Sequence, residues 1–375
     1  MPELEATPVS SILLQREAAA LSSAVFAYGS PCNNFHGQLV LRPGGTFYGY
    51  RPPHVIRWAL EEKEDGIDLI LIDEGGKVVS RFRREGRTWS GTLENHRWPL
   101  LFAPLLENDA PLPSPACPLP PLLINSIPKS GTYFLEKALA SVGWHSLRLH
   151  LGHGIVDDYR GLPDEHLHVN PYRVRLACDE DLIAAILHPG QLLVGHLGKE
   201  AETERIARLG IKTLPCVRNL RDILVSLYRF KLNKVHPLDI KDALWRKAGD
   251  LDRFSLFLDA FRDHDLHFIG DMAATLLAQA EAAHPGVDSF LRYEELENGL
   301  LSPFWRKEFE NIAPGLAVTI QVALIHTRNT PTPTYSGRRS RWQDHWTPAV
   351  EVFFKETGLL ELNRRLGYEA QPSGF

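Results

Sequence analysis

At 375 residues, with 44% hydrophobic and 23% charged side chains, the chain is long enough for two ordinary domains and has the make-up of a globular protein. A net charge of −5 argues against general nucleic-acid binding, and no apolar run reaches the roughly 18 residues of a membrane span. The four cysteines (Cys32, Cys117, Cys178, Cys216) lie far apart without metal-type pairing, and the first twenty residues carry acids where a signal peptide has basic ones, so a cytoplasmic protein with reduced thiols is expected.

Residues 1 to about 25 read as a short helical lead-in. From Phe35 the pattern turns β-rich: FHGQLVL and TFYGY around the turn Pro43-Gly44-Gly45 form a hairpin. VIRWALE comes next, with Ile56, Trp58 and Leu60 alternating against Arg57 and Ala59, then IDLILID and KVVSRFRR, separated by Asp65-Gly66 and Glu74-Gly75-Gly76. Short strands punctuated by glycine turns predict a small all-β sandwich or barrel of about six strands over residues 1–105. Trp58, Trp89, His96 and Trp98 could line a sugar-binding face, but are read as core aromatics. The segment Pro104 to Pro121 is dense in proline, which disfavours helix and interior strand alike, so residues 106–120 are expected to be a linker. Beyond it, strand-like and helix-like segments alternate, and residues 121–375 are predicted to form an α/β domain, a mostly parallel sheet flanked by helices.

That domain opens with LLINSIPKSGTYFLEKALASVGW, from Leu122 to Trp144. The apolar run Leu122 to Ile127 suits a buried strand; Phe134, Leu135, Ala138, Leu139 and Val142 then recur at helical spacing, with Gly143 as the stop. Between them lies Pro128-Lys129-Ser130-Gly131-Thr132. A small-residue loop running into a helix N-terminus presents free N–H groups to an anion, and Lys129 adds charge. The order is not that of a Walker A loop, in which lysine comes after the last glycine. The alternative is an ordinary strand-to-helix turn that happens to contain Lys, Ser and Thr.

Five histidines fall between His145 and His168: His145, His150, His153, His166 and His168. No ligand spacing there is sustained by Cys or paired carboxylates, so no metal is expected, and the region reads as an irregular loop covering the cleft and meeting an acceptor. QLLVGHLGKE, from Gln191, is a buried strand ending at Gly195-His196, which places His196 at the end of a sheet strand where ligands bind. LPCVRNLRDILVSLYRFKL, from Leu214, has a strand ending at Val217, then Arg218, then a helix with Ser226, Tyr228 and Arg229; Ser226 lies eight residues after Arg218, about two helical turns. Lys129 and Arg218 together suggest a clamp for a nucleotide phosphorylated at both ends, against the bland reading of an amphipathic helix with solvated arginines.

On these residues the chain resembles the sulfotransferase family, enzymes that use 3′-phosphoadenosine 5′-phosphosulfate, over residues 121 to about 370. Pro128 to Thr132 matches the family's 5′-phosphosulfate loop, PKSGT, and Arg218 to Asp222 with Ser226, Tyr228 and Arg229 matches its 3′-phosphate segment. Leu291-Arg292-Tyr293-Glu294-Glu295-Leu296 resembles the strand-turn whose tyrosine lies near adenine, and Gly195-His196-Leu197 resembles the surroundings of the catalytic histidine. Gly337 and Trp342 resemble the C-terminal glycine loop, and Trp346-Thr347-Pro348 resembles the segment after that loop. The chain departs from the pattern in three respects. Val194 stands where a lysine often precedes the histidine by two, Tyr335-Ser336 replace an Arg-Lys pair while Arg338 and Arg339 come after Gly337, and Phe134 stands for a tryptophan.

The resemblance implies a fold, a donor with adenosine 3′,5′-bisphosphate as product, and a set of roles. Lys129 and His196 would be catalytic, lysine on the leaving oxygen and histidine as general base. Lys129, Ser130, Gly131, Thr132, Tyr133, Phe134, Arg218, Ser226, Tyr293, Gly337, Arg338 and Arg339 would bind the donor, with no metal. The tract Arg328 to Arg341, four arginines and no acid, suits closure over the 3′-phosphate. The acceptor is expected to be a small molecule or glycan, with a carbohydrate or glycoconjugate hydroxyl preferred because β-rich modules accompany carbohydrate enzymes. A P-loop kinase and a non-catalytic glycan-binding protein on a nucleotide-binding scaffold remain the competing readings.

Overall fold

A computed structural model of the chain describes residues 9–31, 34–94, 96–110, 117–163, 166–167, 174–237, 239–328, 330 and 342–368. It divides into two compact units, Met1–Leu112 with Cys178–Leu187, and Pro113–Ala177 with His188–Phe375.

In the first unit, helix α1 (Val9–Ser22) precedes an all-antiparallel sheet of eight strands rather than six: β1 (Ala24–Ser30), β2 (Asn34–Arg42), β3 (Thr46–Gly49), β4 (Val55–Lys63), β5 (Gly66–Asp73), β6 (Val78–Glu85), β7 (Thr88–Leu93) and β8 (His96–Glu107). Their order is β3-β2-β1-β8-β7-β6-β5-β4. Three strands, β1, β7 and β8, lie where alternation announces none. β1 is buried on both faces and so does not alternate. β8 carries Pro99 and Pro104, and its pairing with β1 shifts register where Pro104 meets Phe26. The strand therefore runs to Glu107, into the stretch taken for linker, of which residues 111–116 lie outside the described ones.

Trp58 draws the two sheet edges together. Its main-chain N–H donates to Gly45 O at 2.8 Å, and its indole N–H lies 3.1 Å from Arg42 O and 3.0 Å from Thr46 O. Open edges invite aggregation, and this closure covers them. Trp58 and Trp89 are core residues, whereas His96 and Trp98 are exposed. Residues 178–187 pack with this unit although they lie sixty-odd residues beyond it, about a whole βα segment of chain. Helix α3 (Glu180–Ala185) is tied in by Tyr48 Oη to Asp181 at 2.8 Å and by Asn108 Nδ2 to Ile186 O at 2.7 Å, contacts that no local pattern announces.

The second unit is built on a seven-stranded sheet: β9 (Leu122–Ser126), β10 (His145–Gly152), β11 (Ile155–Asp158), β12 (Val174–Ala177), β13 (Gln191–Gly195), β14 (Lys212–Val217) and β15 (Leu291–Arg292), in the order β12-β11-β10-β13-β9-β14-β15. The neighbours from β10 to β15 pair in parallel, and β10-β11-β12 antiparallel. The segment read as an irregular loop after His145 is thus a hairpin. Its alternation is obscured by Gly152 and Gly154 and by Arg148 at φ 52°.

Helices α2 (Thr132–Ser141), α4 (Glu200–Ala207), α5 (Leu220–Lys234), α6 (Ile240–Lys247), α7 (Asp250–Phe261), α8 (His267–Ala283), α9 (Tyr293–Glu297), α10 (Pro303–Ile312), α11 (Leu316–Thr327), α12 (Pro348–Glu356) and α13 (Leu359–Arg365) complete the unit. Leu122 and Ile124 of β9 pack with Leu192, Val194, Leu214 and Cys216 of its neighbours against Leu135 and Leu139 of α2 and Phe309 and Ile320 of α10 and α11. A second core gathers Ile223, Leu224 and Tyr228 of α5 with Trp245, Phe257 and Met272.

The register fixes where the site forms. Gly195 pairs with Asn125, Cys216 with Ser126, and Val217 with Arg292. The chain therefore leaves these strands at one edge of the sheet, and the residues next in sequence are the Lys129 loop, His196, Arg218 and Tyr293.

Candidate active site

At that edge lies a cavity of about 620 Å³, within the usual size of a ligand pocket. Of the candidates drawn from the sequence, Lys129, Gly131, Thr132, Tyr133, Phe134, His196, Arg218, Ser226 and Tyr293 line it. Ser130 does not: its hydroxyl is fully buried without a partner, and its N–H is spent on Ile127 O at 3.1 Å. Its contribution is to shape the turn. Gly337, Arg338 and Arg339 lie outside the described residues; Arg328, the first arginine of their tract, is on the cavity wall.

The loop between β9 and α2 is bent into an anion cradle. Lys129 has φ 71° and Gly131 φ 88°. A left-handed lysine costs of order 1–2 kcal/mol and is seldom kept without a use. Alternating left-handed residues turn successive N–H groups to one side, and the first turn of α2 adds N–H groups that have no intrahelical acceptor. Only glycine serves at 131, since a Cβ there would lie 2.3 Å from the Tyr293 ring. Thr132 Oγ1 is 2.6 Å from Ser126 Oγ, which ties the helix start to the end of β9.

Cations dominate this end of the cavity. Lys129 Nζ sits 3.6 Å from the centroid of the Phe230 ring and, among the described residues, pairs with no carboxylate. Burial, then the charges of Arg218 and Lys231, bring its pKa down to about 7. Arg218 donates from Nη1 to Lys129 O at 3.3 Å, its guanidinium lies 4.5 Å from the Tyr293 ring centroid, and its Nε is buried without a partner. Tyr293 in turn meets Phe134 edge-on at 6.0 Å, so two aromatic rings border the space beside the loop. Three cations held together in a partly desolvated cavity repel one another, and a bound polyanion removes that cost.

His196 lines the same cavity. Its N–H donates to Leu151 O at 3.1 Å, and Asn125 clamps the next residue through paired bonds to Leu197 N and O at 2.8 and 3.1 Å. The imidazole Nδ1 lies 2.6 Å from Ser126 O, an acceptor only, which assigns the proton to Nδ1 and leaves Nε2 as the basic nitrogen. Burial, reinforced by Lys129 and opposed by the Ser126 carbonyl, lowers its pKa to about 4. The ring is therefore neutral at ordinary pH, as a proton acceptor must be. His150 meets it edge-on with centroids 4.6 Å apart and is itself bonded through Nδ1 to Tyr133 Oη at 3.0 Å.

The helix after Arg218 divides its labour. Ser226 faces the cavity, but Tyr228 packs against Trp245, Phe254 and Phe257 in the core. Arg221 is 3% exposed, pairs with Glu351, and lies over Trp342, Trp346 and Phe354, so it is structural. The remaining wall is mixed: Leu151, Ile155, Leu227, Phe230, Val235 and Phe268 supply apolar surface, and His153, Asp157, Lys231 and Asp265 supply charge or hydrogen bonds. Sequence reasoning named none of Phe230, Lys231 or Asp265. Phe230 lies four residues after Ser226 and Lys231 four after Leu227, the spacing of one helix face.

Comparison with known proteins bears on the same region. Residues 119–302 match the family model described as Sulfotransferase domain. A solved structure, mouse sulfotransferase SULT7A1 complexed with PAP, is similar at 16% identity over 67% of this chain and 88% of that one, with a TM-score of 0.39. No curated protein matches the chain. Among the described residues no helix is long and apolar enough to cross a membrane.

Proposed function

We propose that this chain, whose residues 119–302 belong to the sulfotransferase family, moves the sulfuryl group of 3′-phosphoadenosine 5′-phosphosulfate to an acceptor hydroxyl. The observation that carries the reading is a convergence on one cavity: Lys129 with no carboxylate partner among the described residues, a neutral His196 with Nε2 available, and Arg218. The loop and α2 N–H groups hold the 5′-phosphate, Arg218 and Ser226 the 3′-phosphate, and Phe134 and Tyr293 border the adenine. In the transfer, the acceptor oxygen bonds to sulfur as the sulfur–oxygen bond to the phosphate breaks. The hydroxyl proton passes to His196 Nε2, and Lys129 donates to the phosphate oxygen that takes up the charge. Adenosine 3′,5′-bisphosphate leaves. Thr132, whose hydroxyl is engaged by Ser126, and the lysine-first loop order both sit poorly with a kinase.

We read the acceptor as a carbohydrate or glycoconjugate hydroxyl, because aromatic surface from Phe230 and Phe268 is interleaved with Asp157, Asp265 and His153 on the wall beside His196. Incubating the full chain with isotopically labelled donor and sugars, phenols, sterols and peptides tests this; label appearing in phenols or sterols but no sugar would refute it. The division into a β-rich domain, a linker that begins after Glu107 and a transferase domain belongs to the same reading, as does a cytoplasmic location.

The binding groups lead to two expectations. Arg218→Ala removes the preference for 3′-phosphorylated nucleotide: charge-assisted contacts contribute about 1.5–3 kcal/mol, so affinity for adenosine 3′,5′-bisphosphate falls roughly 10–100-fold and that for AMP little. Calorimetry with the two nucleotides checks it, and an equal loss for both would place Arg218 elsewhere. The pH profile is set by the same groups. With His196 near 4, its base form is already complete above about pH 5, so no acid limb appears at the ordinary histidine value. Lys129, near 7 in the free protein, loses charge as pH rises through 7, so kcat/KM for donor declines above 7. A bound anion raises the lysine's pKa, and kcat persists to higher pH. A kcat/KM that stays flat to pH 9 would contradict the lysine's part.

A further inference from the structure

A second lysine reaches the transfer end of the cavity from a different element. Ser226, Leu227, Phe230 and Lys231 line the wall from one face of α5. The Lys231 side chain is 12% exposed, its Nζ is 3.0 Å from Asp265 Oδ2, and it lies 4.3 Å from the Phe261 ring centroid. Asp265, also on the wall, sits on a π-helical turn, Arg262–Leu266, inserted between α7 and α8. Such turns interrupt the regular ladder and recur at functional sites.

A buried ion pair serving only the fold gains nothing from a neighbouring like charge. Here the Lys129 ammonium lies 3.6 Å from the centroid of Phe230, the residue next to Lys231 on α5, and both lysines line the same cavity; after burial and Arg218, the Lys231 charge also lowers the Lys129 pKa. Two ammonium groups bearing on one end of a partly enclosed cavity suit an anionic group with several oxygens.

We propose that Lys231, positioned by Asp265, binds the non-bridging sulfuryl oxygens of the donor while Lys129 attends the bridging oxygen. The assignment rests on the sulfuryl-transfer reading above. It makes Lys231 a donor-binding residue that discriminates the sulfated nucleotide from its desulfated product.

The test is equilibrium binding of 3′-phosphoadenosine 5′-phosphosulfate and of adenosine 3′,5′-bisphosphate to the full chain, compared between wild type and Lys231→Met. Loss of a charge-assisted contact predicts that affinity for the sulfated donor falls about 10–100-fold relative to that for the bisphosphate. Lys231→Arg, which keeps the charge and the Asp265 pair, recovers most of that ratio. An unchanged ratio overturns the proposal and returns Lys231 to the acceptor or the fold. Should the methionine variant fail to fold, Lys231→Gln, which still donates to Asp265, is read by the same ratio. Wild type that binds neither nucleotide would instead refute the transfer reading itself.

Discussion

Replacing His196 by alanine is expected to lower turnover by about 10²–10⁴-fold while leaving affinity for adenosine 3′,5′-bisphosphate unchanged. The separation of the two effects comes from the geometry. His196 is fixed by backbone: its Nδ1 proton goes to Ser126 O, its own N–H to Leu151 O, and the residue after it is clamped by Asn125. None of these partners belongs to the cation cluster, so removing the ring leaves Lys129 and Arg218 in place. On the proposed mechanism, what is lost is the acceptor of the hydroxyl proton. Single-turnover transfer with labelled donor, alongside calorimetry with the bisphosphate, reads the two quantities independently. Unchanged turnover in the alanine variant would remove His196 from the mechanism and direct attention to His150, whose ring lies 4.6 Å away. Asn125→Ala provides a milder version, since it loosens the segment without removing the base.

Lys129→Met should cost about 10²–10³-fold in kcat, the range found when a preorganised donor to developing negative charge is removed. The backbone of Lys129 is held at φ 71° and its ammonium lies against Phe230, with no carboxylate among the described residues to neutralise it. A lysine with a pKa near 7 is partly neutral before the donor arrives, and the donor's charge restores the proton. The substitution therefore affects catalysis more than bisphosphate binding, because the loop amides and Arg218 still hold the nucleotide. Rapid-quench measurement of the transfer step at saturating donor checks this. A kcat within a factor of about three of wild type would confine Lys129 to binding, since removing a transition-state donor costs far more.

The site was more legible in the sequence than the fold around it, for physical reasons. The phosphate cradle of the proposed function needs particular residues in a fixed local order, and Pro128 to Thr132 and Arg218 to Ser226 offer such orders within a dozen residues. His196 was legible because a strand-terminal position is itself local information. Lys231 and Asp265 were not, because their meeting depends on a π-helical turn and on packing between α5 and the α7–α8 junction. Tyr228 misleads for the opposite reason: it lies two residues from Ser226, which on a helix puts it on another face, toward Trp245. In the β-rich unit, β1 and β8 were missed because a strand covered on both sides has no alternation, and because Pro104 can stay in a strand where the register slips. The docking of residues 178–187 on that unit rests on Asp181 and the Ile186 carbonyl meeting partners more than seventy residues away.

The central claim is that a single adenosine nucleotide with phosphates at both its 3′ and 5′ positions spans the cavity from the Lys129 loop to Arg218 and Ser226. Titrating the wild-type chain with adenosine 3′,5′-bisphosphate and, separately, with AMP tests it most directly. The account predicts tighter binding of the bisphosphate by about 10–100-fold, the worth of charge-assisted contacts to the second phosphate. Equal affinities would contradict it.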